Sequence, residues 1–365
     1  MDLSSFSSQY AEARRKFLDA CAERDLAVQH HIHPLPGRDG ETLALDVARQ
    51  GAPDAPNLLV ISSGCHGIEG YCGSAVQTAL LRDARWHAQC TRDDLAVLYL
   101  HALNPYGFSW DRRATHDNVD LNRNFRDFSQ PLENDRHYLA IASLLVPDGN
   151  HPPGLGSELS LAWRALRHGR SALQAAVSGG QQVDPNGLFY AGRAPTWSHL
   201  TLRALLREHG RRCARIAWID VHTGLGAQGV AECIYQGTPA GPESLARARR
   251  WWGPAVTSAE EGSSTSCELA GTLDMAAMEE CPQAEYNGLT LEYGTLPSLK
   301  VLNALRAEQW LHNHPDAPAA LRQRIKRDLR AAFYIETDAW KRDVLIQARR
   351  VMEASLAGLA TPLSA

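Results

Sequence analysis

Short apolar runs rich in branched side chains recur along the chain, each closed by polar, turn-forming residues. Leu58 to Ile61 is such a run, and 94–101, 215–221 and 288–293 repeat its character. Uninterrupted apolar runs of this kind read as strands buried on both faces, as in parallel sheets covered by helices. Residues 231–236 add a further strand. Residues 29–50 read as a hairpin: a His-rich arm, a turn at Pro36–Gly40, then alternating Leu43, Leu45 and Val47. Helical spacing occupies 5–28, where Phe6, Tyr10, Phe17 and Cys21 are among the apolar positions. It returns at 70–89, 133–145, 157–178, 198–210, 242–252, 266–280, 298–312 and 317–357, the last broken near Tyr334–Thr337. Strand–helix–strand order implies parallel crossovers, with functional loops at the carboxyl ends of the strands. The expected fold is one α/β domain over 1–365, a mixed, mostly parallel twisted sheet flanked by helices. A helical and irregular elaboration falls around 147–215, and a C-terminal helical segment spans 317–357.

Composition narrows the class of function. The chain has 365 residues, 44% hydrophobic and 21% charged, the balance of an ordinary globular protein. Its 37 Lys and Arg against 41 Asp and Glu leave a net charge of −4, which gives no electrostatic case for nucleic acid or an anionic membrane. The Arg-rich stretches 203–215 and 322–330 are interleaved with apolar residues at helical spacing and read as solvated helix faces. The N-terminus lacks the basic and apolar regions of a secretory signal, and no apolar run approaches the roughly 18 residues that suggest a membrane span. Eight cysteines without a Cys-x-x-Cys pair suit a reducing cytoplasm. Cys65 reads as a packed thiol. His30, His31 and His33 have no Cys or carboxylate at ligand spacing and read as a surface strand.

Three polar clusters stand where strands end. After Leu58–Ile61 the chain turns through Ser62-Ser63-Gly64, and His66 and Glu69 follow with two residues between them. Asp220-Val221-His222 closes the 215–221 run. Two imidazoles and a carboxylate leave a fourth position for water, the open ligand set of a catalytic zinc, and zinc there lowers the pKa of its water to about 7. The second cluster is the polar loop 109–130, which carries Arg112, Arg113, Asp120, Asn122, Arg123 and Asn124. Arginine presents a planar fork of donors suited to a carboxylate or a developing oxyanion. The third is Glu292, a charge inside the 288–293 run and a candidate general base. Each cluster alone also fits a solvated loop or edge. Gly224-Leu-Gly226-Ala-Gln-Gly229 spells the dinucleotide fingerprint, but that fingerprint demands a helix opening at the third glycine, and 231–235 reads as strand. A turn explains these glycines better.

His66-Gly-Ile-Glu69, Val119-Asp120-Leu-Asn122-Arg123-Asn124-Phe125, Asp220-Val-His222-Thr-Gly224 and Leu291-Glu292-Tyr-Gly294 resemble, in order and rough spacing, the zinc carboxypeptidase superfamily. That superfamily also contains succinylglutamate desuccinylase and aspartoacylase. The match is closest to a bacterial branch that shares the Gly187-Leu-Phe-Tyr190 segment, and it covers most of 55–300. The resemblance implies one zinc ion per chain held by His66, Glu69 and His222, with Glu292 as general base. It implies Asp120 as the carboxylate that orients a ligand histidine, and Arg113 as the oxyanion-stabilising arginine, with Arg112 the neighbouring alternative. Asn122 and Arg123 resemble a pair that clamps a terminal carboxylate. Tyr235 and Tyr286 are candidates for a tyrosine that closes over the substrate. The expected activity is zinc-dependent hydrolysis of an amide bond next to a carboxylate, in a small peptide or N-acyl amino acid, by attack of zinc-activated water. A deacylase or esterase on the same scaffold, and a non-catalytic binding protein that keeps the fold, are the alternatives.

Overall fold

The computed structural model describes residues 2–237 and 242–361. The apolar runs pair into a seven-stranded sheet: β1 (Val28–Ile32), β2 (Ala44–Gly51), β3 (Asn57–Ser63), β4 (Leu95–His101), β5 (Arg215–Gln228), β6 (Ala231–Gln236) and β7 (Glu285–Gly294). Their order across the sheet is β1-β2-β4-β3-β5-β7-β6. The central strands β4, β3, β5 and β7 are parallel. β1 and β2 form the expected hairpin, and the pairs at both margins are antiparallel. Every residue of β3 and β4 is buried, because helices cover both faces of the parallel core.

Alternation along the strands sorts side chains between two cores. Leu59, Ile61, Ala217, Ile219, Val221, Leu289 and Leu291 enter the larger one. Leu58, Val60, Ile216 and Trp218 enter the smaller, beneath Leu202, Leu205 and Leu206 of helix Trp197–His209 and Ala276 and Ala277 of helix Asp274–Glu280. Asp220, His222, Thr290 and Glu292 follow the same alternation and share the face of the smaller core.

Several expected helices are shorter or divided. The 70–89 stretch becomes Gly70–Arg82 and Ala84–Cys90, with the Asp83 carboxylate capping the second by accepting from the N–H groups of Arg85 and Trp86. The 133–145 stretch becomes Asp135–Leu139 and Ala142–Leu145, and 157–178 becomes Leu155–His168 and Arg170–Ser178. The C-terminal segment breaks as expected, into Ala319–Phe333 and Asp338–Ala360. The largest difference is 266–280, where only Asp274–Glu280 is helical. Gly271 has a φ of +75°, and a Cβ there would lie 2.4 Å from the Arg123 carbonyl oxygen. Its own carbonyl accepts from Phe125 N–H at 3.0 Å, so docking onto the 123–125 loop outweighs helical spacing. β5 runs on to Gln228 and β6 begins at Ala231, so no helix opens at Gly229 and the glycine fingerprint lies in strand and turn. Two surface readings are corrected: His33 is buried against Trp197, and Arg215 is buried with its guanidinium on the carbonyls of Leu359 and Thr361. Among the described residues no helix is long and apolar enough to cross a membrane.

The loop 109–130 is fastened by a buried ion cluster. Arg112 donates from Nε to Glu308 Oε1 at 2.9 Å and from Nη2 to Asn118 Oδ1 at 2.8 Å. Lys326 Nζ reaches the same Glu308 oxygen at 2.8 Å and the carbonyls of Trp110 and Asp111 at 2.9 Å. Burial alone would raise the Glu308 carboxyl, but Arg112 and then Lys326 outweigh it and bring it from 4.5 to about 2. A depressed carboxyl contributes stability above its unfolded value and loses it as pH falls. We therefore expect Glu308→Gln to cost about 3 kcal/mol or more at neutral pH, as for a broken buried pair. In urea melts the gap from wild type should close between pH 4.5 and about 2.

Candidate metal centre

β3 ends at Ser63, and the turn from His66 to Glu69 follows before the helix Gly70–Arg82 begins. The turn is pressed against the neighbouring loop. Gly67 N–H donates to the Arg113 carbonyl at 3.1 Å and Ile68 N–H to that of Arg112 at 2.8 Å. A Cβ on Gly67 would lie 2.0 Å from the carbonyl carbon of Gly107, so only glycine permits the approach. These main-chain bonds hold Arg113 beside Glu69. From the sheet side, β5 and β7 align His222 with Glu292.

Glu69 is the hub. Its Oε1 lies 2.9 Å from His66 Nδ1 and 3.3 Å from Arg113 Nη1. Its Oε2 lies 2.9 Å from His222 Nδ1 and accepts from Thr223 N–H at 3.1 Å. The two imidazole rings stand 4.8 Å apart at 73°. Ligand atoms of His66, Glu69 and His222 all fall within 4.8 Å of one another, and all three residues are buried. Two imidazole nitrogens and one carboxylate in such a cluster match the open donor set of zinc.

The other nitrogen of each ring also meets a carboxylate. His66 Nε2 lies 3.2 Å from Asp120 Oδ1, and His222 Nε2 lies 2.5 Å from Asp220 Oδ2. Such partners fix ring orientation and tautomer in metal sites. Asp120 is fixed in turn by Arg113 Nε at 2.9 Å, and Asp220 by Ser62 Oγ at 2.6 Å. The motif resemblance assigns Asp220 no role, although it is placed to orient His222. Its signal was present, since residues two apart on a strand share a face.

The charges reinforce one another. Burial opposes a charged Glu69, yet His66 and His222 hold its carboxyl well below the usual range. Burial likewise opposes a charged His222, but Asp220 and then Glu69 lift it well above 6.5. Arg113, followed by Arg123, keeps Asp120 ionised against its burial. Glu292 behaves oppositely. Burial first and the Glu69 charge second push it up to about 8, while its Oε1 accepts from Leu225 N–H at 2.9 Å. A cation beside Glu69 would favour the ionised form of Glu292.

The remaining candidates separate. Arg113 faces the centre, and Arg112 points away to Glu308. Phe189, which sequence reasoning left without a role, covers Arg113, with the guanidinium 5.1 Å from its ring centroid. Asn122 Oδ1 accepts from Leu273 N–H at 3.0 Å. Arg123 is buried and donates to the carbonyls of Ser178 and Asn122, so its fork supports the main chain behind Asn122. Tyr235 is packed in the larger core, and Tyr286 lines a small pocket on the sheet with Asn122 and Asp220. Cys65 is buried, and burial raises its thiol well above 9. Its sulfur also lies within ligand reach of Asp220 and His222.

Because Asp220 and Glu69 favour the charged form of His222, a metal that takes its Nδ1 must displace a proton there. Zinc titrated into metal-free protein should release protons, seen calorimetrically as heats that change with buffer ionisation enthalpy. Affinity should rise with pH through the neutral range. His66→Ala or His222→Ala should abolish stoichiometric binding, and Asp220→Asn should weaken it about 10–100-fold.

No curated protein matches the chain. Among solved structures it is similar to carboxypeptidase A from Helicoverpa armigera, with 12% identity, a TM-score of 0.45, and coverage of 91% of this chain and 75% of that one. It is also similar to thrombin activatable fibrinolysis inhibitor, with 12% identity, a TM-score of 0.49 and coverage of 90% and 75%. A metallo-carboxypeptidase from Burkholderia cenocepacia gives 12% identity, a TM-score of 0.41 and coverage of 84% and 69%. These are distant likenesses. A family model described as "Protein of unknown function (DUF2817)" matches residues 6–347, and the chain belongs to that family.

Proposed function

We propose that the protein is a zinc-dependent hydrolase that cleaves an amide bond next to a carboxylate, in a small peptide or an N-acyl amino acid. The observation that carries this reading is the convergence of His66, Glu69 and His222 on one point, with Glu292 opposite His222 on the adjoining strand. A zinc ion held by this set would polarise the substrate carbonyl and acidify a water. Glu292 takes the proton of the attacking water and passes it to the leaving amine. A cation held at Glu69 offsets the charge that helps raise Glu292 and favours the ionised form a base needs. Arg113 keeps Nη2 outside its bonds to Glu69 and Asp120, and this donor stabilises the oxyanion. The Asn122 side-chain amide, with the Arg123 charge behind it, orients the substrate carboxylate.

The test is a hydrolysis panel of blocked dipeptides and N-acyl amino acids on zinc-loaded protein. Turnover of either class should vanish on chelation and return with zinc. Glu292→Gln should keep stoichiometric zinc while kcat falls about 10²–10⁴-fold, the usual contribution of a positioned general base. Full activity in that variant, or no zinc in the wild type, would sink the proposal. Preference for N-acyl amino acids over dipeptides would assign it as a deacylase.

A further inference from the structure

Two hollows flank Glu292. One is the small recess toward Thr290, two residues before Glu292 on β7, with Asn122, Asp220 and Tyr286 in its walls. The other lies beyond Glu292, at the turn from β5 to β6, and has a volume of about 290 Å³. Small-molecule sites begin at roughly 300 Å³, so this pocket takes one compact group. The recess, at about 20 Å³, takes little more than a water. Strand register places the pocket beside the base. Glu232 on β6 stands opposite Glu292 on β7, so their side chains share a face, and Glu232 is one wall of the pocket. Gly226 is another wall, and Leu225 just before it donates its N–H to Glu292. Gln228 pairs with Gly294, two residues past Glu292. Along β7 the order is therefore recess, base, pocket.

A strap that leaves the sheet edge creates the pocket. Residues 255–257 run beside β6 but pair with it at a single bridge, Ile234 with Thr257. There Thr257 N–H donates to the Cys233 carbonyl at 3.0 Å, and Tyr235 N–H to the Thr257 carbonyl at 2.8 Å. Just before the strap the chain bends through Gly253, at a φ of +96°, after helix Pro242–Trp252. The charge and polarity of the lining are spent elsewhere. Glu232 Oε1 accepts from Thr257 Oγ1 at 2.7 Å and from Thr265 N–H at 3.0 Å, and its Oε2 accepts from the Thr265 hydroxyl. It clasps the strap to β6 with both oxygens occupied. Burial, with the Glu232 charge second, pushes the Cys233 thiol up to about 11, so it stays neutral. Trp252 Nε1 donates to Ser355 Oγ at 2.9 Å. No arginine, lysine or histidine is among the described lining residues. Ala227, Val230, Ala231, Ala255, Val256 and the Trp252 ring leave an apolar surface.

We propose that this pocket receives the acyl group of the substrate, and that the substrates are amino acids N-acylated with short, uncharged aliphatic acids. The carboxylate-bearing half then lies toward Asn122 and the acyl half toward Val230, with the scissile carbonyl between them at Glu292. A peptide would instead bring its amino-terminal ammonium to an apolar wall that holds no free counter-charge, which is costly. An aliphatic chain gains about four-fold in affinity for each methylene it buries. The inference rests on the proposed hydrolytic reading for the placement of the scissile bond, and binding can be measured without turnover.

The experiment is calorimetric titration of zinc-loaded, full-length Glu292→Gln protein, in which the ligands survive, with N-acetyl-, N-butanoyl- and N-hexanoyl-L-alanine. Affinity should rise at each step, by at least about 20-fold from acetyl to hexanoyl. Val230 is 54% exposed, so Val230→Lys should fold while setting a charge at the pocket. Ala255→Trp fills the same space from the strap. Each, added to the Glu292→Gln protein, should cut the hexanoyl-to-acetyl ratio to less than about three-fold. A flat series, no measurable binding of any member, or a ratio that survives both substitutions would each overturn the proposal. If one substitution fails to fold, as judged by its melt, the other decides, and if both fail the series itself does. Turnover of the same three compounds by the wild type separates the two ideas. Length-graded binding without turnover removes the hydrolytic reading and leaves the acyl pocket, whereas turnover that ignores chain length does the reverse.

Discussion

Ser63 on β3 lies opposite Val221 on β5, and His222 on β5 lies opposite Glu292 on β7. This parallel register is the constraint on which the polar centre depends. β3 ends at Ser63, level with Val221, so the ladder sets His222 and Glu292 beside the turn that follows β3. A slip of one residue in β5 would turn His222 and Asp220 into the larger apolar core and bring Val221 to the site. The buried runs on either side, Leu59–Ile61 and Ala217–Ile219, make that slip costly. The hydrophobic core thus sets the geometry of the polar cluster.

The opposite half of the centre is held by other means. His66, Glu69 and Arg113 sit on irregular chain, where no ladder fixes position. Main-chain bonds from Gly67 and Ile68 to the 112–113 carbonyls tie the two loops together, and Glu308 and Lys326 pin the far side of the same loop. Arg112 and Arg113 therefore divide the labour. Arg112 anchors the loop to helix Ser298–Asn313 through Glu308, and Arg113 faces the centre. Loops that carry functional groups need rigid support of this kind to keep them within a fraction of an ångström.

How much of this was legible in the sequence follows from the same division. The strands and the positions of His66, Glu69, His222 and Glu292 were readable, because apolar runs and turn residues are local signals. The choice between Arg112 and Arg113 was not, since neighbours on a loop have no periodicity. It is made by Glu308, 196 residues away. The 266–280 stretch misled for a related reason. Its spacing is helical, but Gly271 docks against Arg123 and Phe125, a tertiary contact no window of sequence contains. Asp220 is legible by the same local signal, since it sits two residues before His222 on a strand and shares its face.

That two-residue step also explains why the centre and the recess beside it cannot be independent. Trp218, Asp220 and His222 succeed one another on one face of β5, and Thr290 and Glu292 do so on β7. Asp220 belongs to both sites: one oxygen holds His222 in place for the metal, and the carboxylate forms part of the recess wall. Ser62 bridges further, accepting from Trp218 Nε1 at 2.7 Å while donating to Asp220 at 2.6 Å. Because Asp220 is held by Ser62 on one oxygen and holds His222 with the other, the orientation of a ligand ring is tied to the packing of Trp218 and Ser62 beneath it.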